Sequence, residues 1–295
     1  MNPWIQAARL RTLPLALANV CMGATIAAYF GSFRLDILLM TVVTALLLQV
    51  VSNFANEYGD FIHGADHDER SGPQRTVQSG AISAHSMKNA MISTGLLCIV
   101  CGSYLVSLTT LAIPLKLTFV SLGLLAVWAA INYTAGSKPY GYSGWGDLSV
   151  FLFFGLLSVL GSYYLQAGRW TWSAVLPAIS CGSFSMAVLN INNIRDIESD
   201  QKAGKRSLAL KMGRKNAVIY HAILLTVGMI CSITFVVLHF ESWLQFLFLI
   251  ITPLLWINYR AVKNKIEPMM LDPFLKQMAL TTLLFVISFS VGLLI

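Results

Sequence analysis

Long apolar segments, separated by short polar ones, recur along the whole chain. Nine of them have roughly the 20 residues that a helix needs to cross a bilayer, at about 13–30, 37–56, 90–109, 115–133, 148–166, 174–194, 216–238, 242–259 and 277–295. Apolar residues run through these segments without the alternation that barrel strands show. The pattern predicts an all-α integral membrane protein in which residues 1–295 form one polytopic domain, a single bundle of nine transmembrane helices.

The composition agrees with a chain embedded in lipid. Of the 295 residues, 56% are apolar and only 11% are charged, whereas soluble domains average about 25% charged residues. The mean hydropathy is +0.69. These values exclude a water-soluble domain, and we expect the lipid bilayer, and no nucleic acid, as the macromolecular surroundings.

The basic residues predict the orientation in the membrane. With nine spans, 17 of the 20 Lys and Arg residues fall on the side that holds the N-terminus, and basic loops mark the cytoplasmic side. Eleven of the 13 acids fall on that side too, although acids contribute little to orientation. We therefore expect a multi-pass protein of the bacterial cytoplasmic membrane, with its N-terminus and its functional site toward the cytoplasm.

Two long polar segments on the cytoplasmic side resemble each other. They follow the second and sixth spans, at about 57–89 and 195–215, and N-x-x-N precedes both, at Asn53–Asn56 and Asn190–Asn193. Farther on, the first contains "RTV" and the second "RSL". We interpret the chain as a weak internal repeat of spans 1–4 and 5–8 with an additional ninth span. In membrane proteins built from repeats, the functional site often lies at the repeat interface.

A polar stripe marks the end of the second span. Its members recur every three or four residues and so share one helix face; they are Gln49, Asn53, Asn56, Glu57 and Asp60. Beyond Gly64 lie Asp66 and then Asp68 and Glu69, of which we expect the last two to be loop charges. A polar stripe in this position should face the bundle interior or a water-filled cavity.

The sixth span ends in a similar way. Asn193, Asp196 and Asp200 lie three and four residues apart and share a face, whereas Glu198 points elsewhere and is expected in solvent. Two carboxylate faces that meet in one cavity repel each other unless cations lie between them. The two stripes therefore predict a cation site between the second and sixth spans.

The residue types favour magnesium and a phosphorylated substrate. Asp and Asn oxygens suit Mg²⁺, which substrate phosphates usually help to coordinate, and no His or Cys constellation indicates zinc. The predicted metal ligands are Asn56, Glu57, Asp60, Asp66, Asn193, Asp196 and Asp200. Of these we expect Asn56, Asp60, Asp196 and Asp200 to be catalytic. The outer phosphate oxygens are expected to bind Arg75, Lys138, Lys205 and Arg206.

A diphosphate whose other end belongs in lipid is a polyprenyl diphosphate. Metal and basic residues would neutralise the departing diphosphate, and an aromatic-lined chamber would stabilise the allylic cation until an electron-rich carbon attacks it. A cation-coupled transporter is one rival, but its acids should lie at the membrane midplane. A phospholipid head-group transferase is another, but the D-G-x-x-A-R segment it needs is absent from the sequence.

Both acidic stretches resemble the motifs of the UbiA-type superfamily of intramembrane prenyltransferases. That family has nine helices and Asp-rich motifs after helices 2 and 6; here they read "NEYGDFIHGAD" (Asn56–Asp66) and "NNIRDIESD" (Asn192–Asp200). The first departs from the family pattern, since Glu57 stands where Asp is usual and Asp66 is displaced by two positions. That displacement, with "GPQR", "PYGY" and "LDPFLKQMAL", is similar to the 1,4-dihydroxy-2-naphthoate polyprenyltransferases of menaquinone biosynthesis.

The resemblance implies a particular reaction. A polyprenyl group is attached to an aromatic hydroxy acid, 1,4-dihydroxy-2-naphthoate, and the carboxylate leaves as CO₂, giving demethylmenaquinone with Mg²⁺ as cofactor. The acceptor carboxylate needs a cation, for which Arg9 or Arg11 is our hypothesis and Lys138 the alternative; Tyr140 is a further expected acceptor contact. Other acceptors within the superfamily, namely 4-hydroxybenzoate, homogentisate and haem b, remain alternatives.

Overall fold

The structure is a computed structural model that describes residues 2–66 and 74–295, so the predicted loop charges Asp68 and Glu69 lie outside the described residues. Over that part of the chain the regular secondary structure is helical. The α-helices are α1 (Pro3–Ala8), α2 (Leu13–Tyr29), α3 (Leu35–Ile62), α4 (Ala84–Leu108), α5 (Ile113–Asn132), α6 (Gly146–Val150), α7 (Ser158–Ala167), α8 (Val175–Arg195), α9 (Ile197–Lys202), α10 (Leu208–Leu238), α11 (Thr252–Asn264) and α12 (Asp272–Leu294). Short 3₁₀ helices precede α2, α6, α8, α11 and α12.

The described residues contain nine helical segments long and apolar enough to cross a membrane. They are Pro3–Tyr29, Leu35–Ile62, Ala84–Leu108, Ile113–Asn132, Gly146–Ala167, Trp172–Arg195, Leu208–Leu238, Trp243–Asn264 and Pro268–Leu294. The prediction of an all-α membrane protein with nine spans is confirmed. The internal repeat stays a prediction.

The first span begins ten residues earlier than the sequence pattern predicted. Asn2 caps α1 by accepting a hydrogen bond from the backbone of Trp4, and the chain then breaks at Arg9, whose φ of 50° is left-handed. Left-handed backbone is unfavourable for a residue with a side chain. The sequence pattern did not predict α1 as part of the span, because the polar residues of this segment interrupt the apolar run that indicates a transmembrane helix.

Helix α3 extends past the predicted end of the second span, residue 56, to Ile62, so the first acidic stripe lies on regular helix. Gly59 makes this possible, since a Cβ there would lie 2.4 Å from the backbone carbon of Thr134. The chain that follows α5 thereby approaches the stripe, and the Thr134 hydroxyl donates to Asn56 Oδ1 at 3.0 Å.

The fifth span contains a π-helix, Phe151–Leu157, between α6 and α7. Gly155 in this segment lies against Gly182 of α8, since an added Cβ would approach the Gly182 Cα to 2.7 Å. Small residues at a helix crossing let two membrane helices approach closely. The span that contains α8 is accordingly the most buried of the described spans. The second acidic stripe begins at the end of this helix.

Candidate functional site

A cavity of about 1030 Å³ lies where α3 and α8 end. Acids and amides from both stretches line it; they are Asn53, Asn56, Glu57, Asp60, Asn192, Asn193, Asp196 and Asp200. The rest of the wall is largely apolar, with Phe153 and Phe154 contributed by the π-helix. The polar faces that the sequence pattern assigned to two separate helix ends therefore meet in one chamber.

Asp60 is the most enclosed acid of the chamber. Its Oδ2 accepts from Arg75 Nη2 at 2.5 Å, while Oδ1 accepts from Lys205 Nζ at 2.9 Å and from the Tyr142 hydroxyl at 2.6 Å. The ammonium of Lys205 also lies 4.6 Å from the centre of the Tyr142 ring, a cation–π distance. Both oxygens of Asp60 are thus bound by groups from other parts of the chain.

Arg75 is a buried cation surrounded by carboxylates. Burial by itself lowers the pKa of its guanidinium, but the nearby carboxylates of Asp60, Asp66 and Glu57 raise that pKa well above its usual range. Arg75 therefore stays charged, and its Nη1 also donates to the backbone oxygen of Asn56 at 2.8 Å. The loop that carries Arg75 is fixed to the end of α3 by these contacts.

Glu57 and Asp66, two of the predicted metal ligands, form ion pairs with neighbouring segments of the chain. Glu57 Oε1 accepts from Arg9 at 3.1 Å, and its Oε2 accepts from both the backbone and the hydroxyl of Thr76 at 2.9 Å. An Asp66 oxygen lies 2.9 Å from Arg75 Nε, and Asp66 is absent from the described cavity lining. These contacts attach the N-terminal segment and the loop that carries Arg75 and Thr76 to the end of α3.

The second stretch is arranged differently, because α8 ends immediately before it. Asp196 leaves the helix, and the guanidinium of Arg195 binds both its oxygens, Nε to Oδ1 at 2.7 Å and Nη2 to Oδ2 at 2.7 Å. Arg195 Nη1 reaches Asp272 at the start of α12 at 2.6 Å. Glu198 on α9 is exposed, as the spacing predicted.

Among the acids that line the chamber, Asp200 on α9 is the one whose charge is least neutralised by nearby cations. Burial, with the Asp196 and Asp60 carboxylates, raises its pKa to about 6, and Lys205 only partly offsets the effect. Within the described residues, no three His, Cys, Asp or Glu side chains are grouped tightly enough to hold a metal alone. Mg²⁺, however, is usually held by one or two carboxylates together with substrate phosphates. The oxygen donors and the crowded negative charge fit such an ion.

Of the four predicted phosphate-binding residues, the structure brings two to the chamber. Arg75 and Lys205 line it, whereas Lys138 and Arg206 are exposed and lie outside the described lining. The backbone N–H of Arg206 donates to the backbone oxygen of Tyr142 at 2.8 Å, while the side chain of Lys205, the preceding residue, reaches Asp60. The match between "RTV" and "RSL" aligns Arg75 with Arg206, whereas the residue that lines the chamber with Arg75 is Lys205.

The three predicted acceptor-binding residues, Arg9, Arg11 and Tyr140, all line the chamber. Arg9 contacts Glu57, and Arg11 Nη1 donates to both oxygens of Asp272 at 2.9 and 2.8 Å. The Tyr140 hydroxyl donates to the backbone oxygen of Ala129 at 2.9 Å.

Sequence reasoning missed four side chains of this region, Tyr142, Arg195, Asp272 and Lys276. Three of them lie inside segments that the sequence analysis singles out, Tyr142 in "PYGY" and Asp272 and Lys276 in "LDPFLKQMAL". For Arg195 the available signal was its position in "NNIRDIESD", between the predicted metal ligands Asn193 and Asp196.

Comparison with known proteins gives a consistent relationship. The sequence model described as "UbiA prenyltransferase family" matches residues 16–292. A protein of Haemophilus influenzae named 1,4-dihydroxy-2-naphthoate octaprenyltransferase is 45% identical over 297 residues, which cover 100% of this chain and 96% of the relative. The Escherichia coli K12 protein of the same name is 42% identical, over 97% of this chain and 94% of the relative.

Solved structures share the fold. The apo structure of a UbiA homolog from Aeropyrum pernix K1 superposes with a TM-score of 0.73, at 14% identity, over 95% of this chain and 97% of that one. A UbiA homolog from Archaeoglobus fulgidus bound to DMAPP and Mg²⁺ gives a TM-score of 0.57, at 16% identity, over 98% and 99% of the two chains. With the family match over nearly its whole length and two full-length relatives above 40% identity, this chain belongs to the UbiA prenyltransferase family.

Proposed function

We propose that the protein transfers a polyprenyl group from polyprenyl diphosphate to 1,4-dihydroxy-2-naphthoate. The bond between the prenyl carbon and the diphosphate oxygen breaks, and a carbon–carbon bond to the ring forms. The carboxylate leaves as CO₂, and its bonding electrons return to the ring, so the product is the quinol form of demethylmenaquinone. The names of two relatives that match over essentially the whole chain support this acceptor.

The observation that carries the proposal is one chamber with a charged end and an apolar wall. Acids of both motifs and the cations Arg75 and Lys205 stand at the charged end, and Phe153 and Phe154 belong to the wall. A substrate with a diphosphate head and a lipid tail matches both parts. Residues that would hold Mg²⁺ are Asn56, Asp60, Asn193, Asp196 and Asp200. When bound, Mg²⁺ would neutralise charge on the departing diphosphate.

The chain's own residues have separate tasks in this scheme. Arg75 and Lys205 would donate charge-assisted hydrogen bonds to diphosphate oxygens, for which both side chains already stand at the chamber. The rings of Phe153 and Phe154 would exclude water and stabilise the allylic cation. Arg9, Arg11 and Tyr140 line the same chamber and are the proposed surroundings of the acceptor ring.

We further infer that the protein lies in the bacterial cytoplasmic membrane with this chamber toward the cytoplasm. The excess of Lys and Arg on one side supports that orientation. Both substrates fit it, since a water-soluble aromatic acid would enter from the cytoplasm and the prenyl tail from the bilayer.

The test is an assay of purified, detergent-solubilised protein with a labelled prenyl diphosphate. The acceptors are 1,4-dihydroxy-2-naphthoate, 4-hydroxybenzoate, homogentisate and haem b, each with Mg²⁺, with EDTA, and with Mg²⁺ restored after EDTA. We expect a product only with the naphthoate, with a mass that includes the loss of CO₂, and only when Mg²⁺ is present. A product with another acceptor alone, or full activity in EDTA, would overturn the acceptor or the metal, respectively.

A further inference from the structure

We propose that Lys276 binds the carboxylate of the aromatic acceptor. This inference rests on the proposed function and names a residue for the acceptor's charged group. It replaces Arg9, Arg11 and Lys138, which the sequence alone had suggested.

Charge pairing around the chamber singles out Lys276. Six cations line the described part of the cavity: Arg9, Arg11, Arg75, Arg195, Lys205 and Lys276. The first five each have a carboxylate within 3.1 Å, from Glu57, Asp272, Asp60, Asp196 and Asp60, in that order. Among the residues that the structure describes, no carboxylate lies within 4.0 Å of the Lys276 ammonium. An incoming anion therefore meets one cation here whose charge is not already neutralised by a described acid.

The acid best placed to neutralise Lys276 is occupied elsewhere. Asp272 lies four residues before it on α12, a spacing at which an acid and a Lys commonly pair. Both Asp272 oxygens instead accept from Arg11, at 2.9 and 2.8 Å, and Oδ1 also accepts from Arg195 at 2.6 Å. Two cations from α8 and the N-terminal segment thus leave the ammonium of Lys276 available for a ligand.

The surroundings of Lys276 suit a flat aromatic acid. Leu275 and Leu280 line the same chamber, and Lys276 and Leu280 also border a smaller hollow of about 280 Å³ between α11 and α12. The other walls of this hollow include Leu254 and Leu284. A single ammonium among apolar side chains can bind a carboxylate while the ring contacts the apolar surface.

Lysine also fits the later loss of this carboxylate. Its ammonium is a point charge on a flexible stem, whereas the fork of an arginine holds a carboxylate through two parallel hydrogen bonds. A contact through one rotatable group orients the acid on entry, and it is readily lost when the carboxylate leaves as neutral CO₂ and its bonding electrons return to the ring.

The test compares a ligand that has the carboxylate with one that lacks it. Dissociation constants for 1-hydroxy-2-naphthoate and 1-naphthol are measured on the full-length protein without prenyl diphosphate, so that no reaction occurs. We expect Lys276→Gln to weaken hydroxynaphthoate binding about tenfold or more, the loss typical of a hydrogen bond to a charged group, and to leave 1-naphthol binding unchanged. Lys276→Arg should restore most of the affinity.

The matched control is Lys263→Gln, which removes an exposed lysine at the end of α11 outside the described cavity lining. It should change neither dissociation constant. Unchanged hydroxynaphthoate binding in Lys276→Gln, or an equal loss for both ligands, would overturn the inference. A failure of the proposed function looks different, because the wild-type protein would then form no product from 1,4-dihydroxy-2-naphthoate.

Discussion

The acidic ends of α3 and α8 have similar sequences, but different kinds of contact hold their carboxylates in place. Helix α3 continues past Asp60 to Ile62, and Asp60 is enclosed by partners from other segments, Arg75, Tyr142 and Lys205. On α8 the helix stops, and Asp196 is bound by its own chain neighbour, Arg195. The first motif is thus fixed by tertiary contacts, and the second largely by local ones.

The difference teaches that the two motifs are not interchangeable. Lys205, which follows the second motif in the chain, neutralises an acid of the first. Asp200, in the second, keeps a raised pKa chiefly because it is buried, and the nearby Asp196 and Asp60 carboxylates raise it further. The first motif is therefore the more neutralised side of the chamber, and the second the side on which a cation would relieve the most repulsion.

The largest expected effect comes from removing the local partner in the second motif. Arg195 is 2% exposed, and it binds Asp196 and Asp272. Arg195→Ala should destabilise the protein by about 3–5 kcal/mol, because two carboxylates lose a buried partner. Thermal unfolding in detergent measures this, with Arg169→Ala on the opposite membrane side as the control. Equal melting temperatures for Arg195→Ala and wild type would contradict the conclusion that Arg195 stabilises the second motif.

The next effect concerns catalysis and should be equal at the two motifs. Asp60→Asn and Asp196→Asn should each lower turnover about a hundredfold or more, as removal of a group that stabilises developing charge does. Turnover at saturating substrates and Mg²⁺ is the measurement, and Asp36→Asn, at the other end of α3, is the control. Near-normal turnover in either variant would refute a site that needs both motifs.

A smaller effect distinguishes the glycines that accompany the motifs. Gly59→Ala places a methyl group 2.4 Å from the Thr134 backbone, and overpacking of this kind costs about 1–3 kcal/mol. Gly204→Ala meets open space and costs about 1 kcal/mol for its left-handed φ of 69° alone. Unfolding midpoints should therefore fall more for Gly59→Ala. A larger decrease in the unfolding midpoint for Gly204→Ala would show that the close contact between Gly59 and Thr134 does not determine the cost of a methyl group at residue 59.

The smallest effect is a dependence on pH in EDTA-treated protein. The pKa of the Asp200 carboxyl rises to about 6 on folding, so the folded protein binds this proton more tightly than the unfolded chain does. As the pH rises and the proton is lost, the free energy of unfolding decreases, and the decrease is complete above about pH 6. Asp200→Asn carries no charge at this position, and it should be more stable than wild type at pH 8. The two should converge at pH 4, and a difference that persists there would point to packing instead.

Much of this molecule was predictable from its sequence. The nine spans follow from apolar length, and the meeting of the two acidic stripes follows from their spacing and their common membrane side. The partners of those acids did not follow. Arg195 and Asp272 are 77 residues apart, and Arg11 and Asp272 are 261 apart. The spacing of residues along one helix cannot predict such pairs. The three side chains meet only when α8, α12 and the N-terminal segment pack together.

The same reason explains why the contacts of other side chains could not be predicted. The helix face that Glu57 shares with Asp60 predicts a metal ligand, and this stays a prediction. Its contacts with Arg9 and Thr76 form only when the N-terminal segment and the loop pack there. Lys276 looked like an ordinary orientation signal, because its unneutralised charge is visible only when the partners of Asp272 are known.

The ion network at Asp272 also bears on how the chain is made. Arg195 and Arg11 are synthesised well before the acid that both of them bind, since Asp272 opens the last helix. Until α12 leaves the ribosome and inserts, one end of the chamber holds cations without this shared carboxylate, a costly arrangement in lipid. Insertion of the final helix thus joins the beginning of the chain to its end. A protein cut short before residue 272 would contain both acidic motifs and still lack a finished chamber.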